Sequence, residues 1–167
     1  MITKQRISCE MKKNTAAAFF IVFLAYSCSK APDFLPTSIL SFKLTKKISG
    51  NEAKNYLNRL HYESVIDVES EIGFYEKTNG TAIIYISHYK NKDSTKNIFD
   101  SMTKKISDRN SLYSQSGFIN INGIKVYKTF SRGQTHFVFM LNTTLFWVSV
   151  DNESAENFIK DYLNNLD

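Results

Sequence analysis

The chain is predicted to be an α+β domain on a mostly antiparallel sheet, in the order β-α-β-β-α-β-β-β-β-α. Three observations predict it. Apolar residues recur with helical period in three separate stretches. Between them lie strand-like runs, in a chain that holds 13 Phe and 9 Tyr. Consecutive runs are joined by Thr78-Asn79-Gly80, Asn122-Gly123 and Asn142-Thr143. Asn and Gly accept φ > 0 cheaply, which favours hairpins.

Residues 39–48 alternate weakly and make the first strand. Ala53, Tyr56, Leu57 and Leu60 then follow i, i+3, i+4, i+7 spacing, with Ser49 or Asn51 available as N-cap. Strands 63–77 and 81–89 form the first hairpin. Thr95, Phe99, Met102 and Ile106 make the second helical stripe, with Ile98 beside it and Asp93 or Ser94 as cap. Strands 118–121, 124–130, 135–141 and 144–150 follow. The last helix carries Ala155, Phe158, Ile159, Tyr162, Leu163 and Leu166, after Asp151. Each helix is apolar on one side only, so each should lie on the sheet. The scheme places helices on one sheet face and leaves room for one to cross to the other.

Upstream of this domain, Met11-Lys12-Lys13 precedes an apolar run from Ala16 to Tyr26 that ends at Ser27-Cys28-Ser29. A positive stretch, an apolar run of about 7–15 residues and a small residue before the cut make an export signal. The run is shorter than the about 20 apolar residues that span a bilayer. Met11 is a candidate true start, since residues 1–10, with Arg6 and Glu10, add nothing an export signal requires.

Cys28, preceded by Leu24-Ala25-Tyr26-Ser27, resembles the lipidated cysteine of bacterial lipoproteins. The resemblance implies cleavage before Cys28, acyl chains on its sulfur and anchoring at the cell envelope. Ser29 at the next position, by the sorting rule of that family, favours the outer membrane. Cysteine usage agrees. The chain contains only Cys9 and Cys28, and Cys9 would leave with the leader. The product would carry one cysteine and no internal disulfide. The expected organisation is a signal peptide at 1–27, the lipidated cysteine and a tether at 28–36 (with Pro32 and Pro36), and one α+β domain at 37–167.

The whole chain carries a formal charge of +5, and residues 1–27 account for +3 of it. The remaining 17 basic and 15 acidic residues leave +2. The basic excess belongs largely to the leader, so a nucleic-acid partner is not expected.

Candidate chemistry is sparse. Glu63, Asp67, Glu69 and Glu71 occupy odd positions of one strand. Period two puts them on one face, with neighbours nearly 7 Å apart (about two 3.3 Å steps), too far for one small ion to gather. His61, His88 and His136 have no second cysteine and no His-Glu-x-x-His motif beside them, so no metal is expected. No Gly-x-Ser-x-Gly, Gly-x-Gly-x-x-Gly or P-loop is present, so no cofactor is expected. Asp93-Ser94-Thr95 and Asp100-Ser101-Met102 resemble a short O-glycosylation acceptor pattern.

Two regions have the composition of a ligand or interaction face. Arg132, Gln134 and His136 cluster at a turn beside a strand. Tyr85, Ser87 and Tyr89 share one face of their strand, Leu145, Trp147 and Ser149 share one face of theirs, and Tyr127 is placed to join them. The preferred expectation is a membrane-anchored lipoprotein whose domain binds or scaffolds something in the cell envelope without catalysis, with an envelope protein or glycan as the candidate partner. The alternative is an envelope hydrolase or other enzyme with a dispersed site near His88, His136 and Arg132. That alternative requires a histidine within hydrogen-bond reach of a nucleophile or carboxylate in a cleft.

Overall fold

The computed structural model describes residues 33–61, 68–108 and 112–166. It is an α+β domain with an eight-stranded, antiparallel sheet and three helices. The strands are β1 (Ser38–Ile39), β2 (Phe42–Ser49), β3 (Glu69–Lys77), β4 (Gly80–His88), β5 (Ser114–Ile121), β6 (Ile124–Ser131), β7 (Gln134–Leu141) and β8 (Thr144–Asp151). The helices are α1 (Gly50–His61), α2 (Lys92–Ile106) and α3 (Ala155–Asn164), the last entered through a short 3-10 turn at Asn152–Ser154. Spatial order is β1-β2-β3-β4-β8-β7-β6-β5. None of these helices is long and apolar enough to cross a membrane.

The two-residue hairpins explain most of that order, since each forces sequential strands to lie side by side. Two helical excursions supply the rest. α1 links neighbours β2 and β3, while α2 carries the chain from β4 to the far edge at β5. The last hairpin then returns β8 to pair with β4, from Ala82↔Val150 to His88↔Thr144.

Alternation along the central strands divides the core in two. Ala82, Ile84 and Ile86 of β4 join Phe146, Val148 and Val150 of β8, and Phe137 and Phe139 of β7. These pack on Phe158, Ile159, Tyr162 and Leu163 of α3. On the opposite face, α1 covers Ile72, Phe74 and Ile83 through Ala53 and Leu57. There too α2 covers Tyr127, Val138 and Leu145 through Phe99 and Ile106. α1 and α2 therefore share one face, and α3 crosses to the other.

The predicted element order differs from the observed one at the start. Residues 39–48 are not one strand. A turn at Leu40-Ser41 separates β1 from β2, with Leu40 at φ 51°. A left-handed leucine is costly. Here α3 supports the turn, since the Leu40 amide donates to Asp161 Oδ2 at 3.1 Å. Two other details shift. Asn91, not Asp93 or Ser94, caps α2 by accepting from the Ser94 amide at 2.8 Å. β5 begins four residues before the expected 118, at Ser114.

Residues 33–36, read in the sequence as part of a tether, form a strap over the α3 face. Leu35 is buried. The fully buried Tyr162 donates its hydroxyl to the Phe34 carbonyl at 2.8 Å, and Tyr75 donates to the Pro36 carbonyl at 3.0 Å. The floor beneath the strap is Gly73. A Cβ there would stand 2.8 Å from Leu35 Cδ2 and 2.9 Å from Tyr75 Cε2, closer than side chains pack. Gly73→Ala should therefore displace the strap and lower stability by about 1–3 kcal/mol. Tyr162→Phe, which leaves the Phe34 carbonyl unpaired, should cost about 1–3 kcal/mol. Urea unfolding of both variants checks this; stability unchanged in both would mean the strap adds nothing to the fold.

Candidate functional site

Helix spacing leaves a seam on the α1–α2 face. α1 lies over β2 and β3, α2 over β7 and β8. The outward residues of β4 lie between them. Tyr85 sits directly across from Trp147 in the ladder. Tyr56 of α1 meets Tyr85 at 6.4 Å between ring centroids, and Tyr113 meets Trp147 at 5.8 Å. All four aromatic residues are half-buried. They form a strip across the seam. Burial first, then the adjacent Tyr56 hydroxyl, push the Tyr85 phenol up from its ordinary pKa. Burial also raises Tyr113, opposed by the positive charge of Arg132 nearby.

Beneath the strip is a buried polar knot. The Trp147 indole N–H donates to Ser149 Oγ at 3.0 Å and lies 3.3 Å from His136 Nδ1. Ser149 Oγ is 2.8 Å from His136 Nδ1, and His136 Nε2 is 3.4 Å from the Ser131 carbonyl. One arrangement satisfies every contact: a neutral imidazole protonated on Nε2, which donates to Ser131 while Nδ1 accepts from Ser149 and Trp147. Burial lowers the His136 pKa, with the Ser131 contact acting in the opposite direction. The ring of Tyr113 closes over His136 edge-on at 5.3 Å.

This knot contains the serine and histidine of a nucleophile–base pair, since Ser149 and His136 are within hydrogen-bond reach. Its surroundings oppose catalysis. Ser149 is only 4% exposed and already accepts from Trp147. A reacting carbonyl would have to approach within about 3 Å. The second imidazole nitrogen faces a neutral carbonyl, so no carboxylate stabilises an imidazolium there. Depression of its pKa by burial makes His136 a weaker base.

The sequence-selected residues are distributed unequally. Tyr85, Trp147 and His136 come together at the seam, and exposed Arg132 stands at its rim beside Tyr113. Gln134 is a strand residue one row further along, held to Asp151 Oδ1 at 3.3 Å. Tyr89 lies at the opposite end, packed with the residues under α2, and Tyr127 is buried there with its hydroxyl 2.6 Å from Ser107 Oγ. His88 is on the α3 face, 3.2 Å from Thr144 Oγ1 and 3.4 Å from Glu71 Oε1. The sheet therefore separates the two histidines. Glu71 also pairs with Lys47 at 2.7 Å. Glu63 and Asp67, with residues 1–32 and so Cys28, lie outside the described residues. Sequence reasoning missed Tyr113 and Tyr56 as members of the strip. Tyr113 precedes a strand and Tyr56 reads as a helix core position, so neither carries a local signal.

No family model and no curated protein sequence matches the chain. Among solved structures, the chain resembles a GTP-binding regulator from Thermotoga maritima, with a TM-score of 0.52 and 13% sequence identity. The likeness covers 78% of this chain and 81% of that one. At that identity it shows the fold alone.

The knot makes stability depend on pH. His136 has a folded pKa below its unfolded value, so the unfolded state binds the extra proton first on acidification. Stability is greatest above about pH 6.5 and falls as pH drops toward the lower folded pKa. The melting temperature should fall between about pH 7 and pH 5. His136→Gln should show a smaller fall over that interval. An equal fall in the variant would assign the acid sensitivity to other groups.

Proposed function

We propose that the chain is a cell-envelope lipoprotein, cleaved before Cys28 and anchored through acyl chains on that cysteine, with the outer membrane as its favoured site. Its α+β domain binds an envelope protein or glycan at the α1–α2 seam and catalyses no reaction. The leader from Lys12 to Cys28 supports the anchor. The observation that carries the binding reading is the half-buried strip Tyr56–Tyr85–Trp147–Tyr113 above a floor whose polar atoms already satisfy one another. Rigid aromatic faces offer large contact area at small entropic cost. A pre-satisfied floor orients the strip without exposing a reactive group. The likeness to a GTP-binding regulator adds no nucleotide reading, since the sequence has no glycine-rich phosphate loop.

The second reading, a hydrolase, draws on the 2.8 Å contact between Ser149 and His136. It would need Trp147 and Tyr113 to move aside and admit substrate to the serine.

Two experiments test these readings. Feeding cells a palmitate analogue should label the chain, and Cys28→Ser should remove the label and release the protein from membranes. A labelled Cys28→Ser variant, or an unlabelled chain in the cytosol, would refute the anchor. For binding, Trp147→Ala and Tyr113→Ala should each weaken capture of the envelope partner by about tenfold or more, as interface aromatics do. Ser149→Ala should weaken capture less than either, since the Trp147 N–H keeps His136 Nδ1 as an acceptor. Loss of a hydrolytic activity in Ser149→Ala, with that activity present in the parent, would favour the enzyme instead.

A further inference from the structure

The two edges of the sheet are built differently. At one edge β1 is two residues long, and β2 behind it carries Lys43, Lys46 and Lys47 and a register shift between Leu44 and Lys46. Short edge strands, lysines and bulges all discourage pairing with another chain. At the other edge β5 is eight residues long, Ser-Gln-Ser-Gly-Phe-Ile-Asn-Ile, and contains no charge. Among the described residues nothing pairs with its outer side. Its one irregularity lies between Ser114 and Gly117, which leaves 117–121 in regular register with β6. Phe118 in that stretch is 49% exposed. It is held by the rings of Tyr127 and Phe99 on one side and by the Lys125 ammonium at 4.0 Å.

Hairpin geometry sets the direction of the free backbone groups. Asn122 and Gly123 have φ of 52° and 81°, a two-residue turn closed by the pair Ile121↔Ile124. The closing pair of such a turn exchanges both of its hydrogen bonds, and bonded and non-bonded pairs then alternate. Ile121, Ile119 and Gly117 therefore bond to β6. Phe118 and Asn120 direct their N–H and C=O groups outward.

We propose that this edge pairs with β5 of a second copy of the chain, antiparallel about a two-fold axis at Ile119. The regular stretch 117–121 is centred on Ile119, so this register uses all of it and avoids the bulge. Phe118 then faces Asn120 of the second copy, and those pairs exchange about four inter-chain hydrogen bonds. Ile119 faces its own equivalent. The absence of charge in β5 suits a self-complementary contact, where any charged residue near the axis would meet its like. Five residues a side bury less than the roughly 1,200 Å² of a standard interface, so the pairing is weak and concentration-dependent.

The register predicts which cysteine can cross-link. Opposed residues of a non-hydrogen-bonded pair have Cα atoms about 4.5 Å apart, within disulfide range. Membranes containing the full chain are oxidised with copper phenanthroline, with the unaltered chain as blank for Cys9 and Cys28. Ile119→Cys should give a covalent dimer. Leu112→Cys, at a residue that is 75% exposed, should not. Adding Asn120→Pro, which removes an outward N–H and no backbone bond to β6, and which also removes the side-chain acceptor of the Gly123 amide in the turn, should abolish the Ile119→Cys dimer while the thermal melt stays cooperative. If Ile119→Cys fails to melt cooperatively, sedimentation of the unaltered chain against Asn120→Pro decides, with self-association expected only in the former. A monomer in the unaltered chain, a dimer that persists with Asn120→Pro, equal cross-linking of Leu112→Cys, or a different protein cross-linked at Ile119→Cys would each overturn the proposal.

Discussion

Burial of β7 and β8 on both faces, and of β4 on the α3 face, is the constraint on which the rest of the structure depends. Ile84, Ile86, Val148, Phe137, Phe139 and Phe146 look one way, and Val138, Leu145 and Tyr127 look the other. Exposing either side would leave a wide apolar surface in water, at roughly 25 cal/mol per Å². Both sides therefore need helical cover. The last hairpin inserts β8 between β4 and β7, and α3 follows it directly onto one face. α2, longer and carrying the chain to β5, covers the other. Near-continuous apolar runs in β7 and β8, instead of strict alternation, are the sequence trace of this two-sided burial.

The seam is a by-product of that cover. Two helices over five strands, β2, β3, β4, β8 and β7, leave the middle of that span uncapped. The side chains there must be partly apolar to meet the core and partly polar to meet water. Tyrosine and tryptophan meet both demands, with their rings in contact below and their polar atoms bonded or wet. His136 and Ser149 lie one row deeper, where a polar group is tolerated only when bonded. The neutral imidazole, the serine hydroxyl and the indole N–H supply each other's partners. The same hydrogen bonds occupy the groups that would otherwise react.

Much of the fold was legible because its signals are local. Asn122-Gly123 marks a hairpin by backbone preference alone, and the stripe of Phe158, Ile159, Tyr162 and Leu163 marks an amphipathic helix by period alone. The errors came where a distant group overrode local preference. The turn at Leu40 relies on Asp161, which is 121 residues away in sequence. The strap relies on Tyr75 and Tyr162, whose hydroxyls give no sign in sequence of the carbonyls they will meet. The strip was half legible. Period two put Tyr85 beside Ser87, and Trp147 beside Ser149, on common strand faces. It could not say that those two strands would be neighbours, or that Tyr113 would fold over them.

By itself the sequence determined the class of fold, the hairpins and the three helical faces. Each of these depends on residues within a few positions of one another, through backbone torsion or periodicity. Only the tertiary structure decided that β8 inserts beside β4, that α3 takes the face opposite α1 and α2, and that His88 and His136 lie on opposite sides of the sheet. These outcomes follow from burying both faces of the central strands at once. That is a global packing condition, and no short window of sequence contains it.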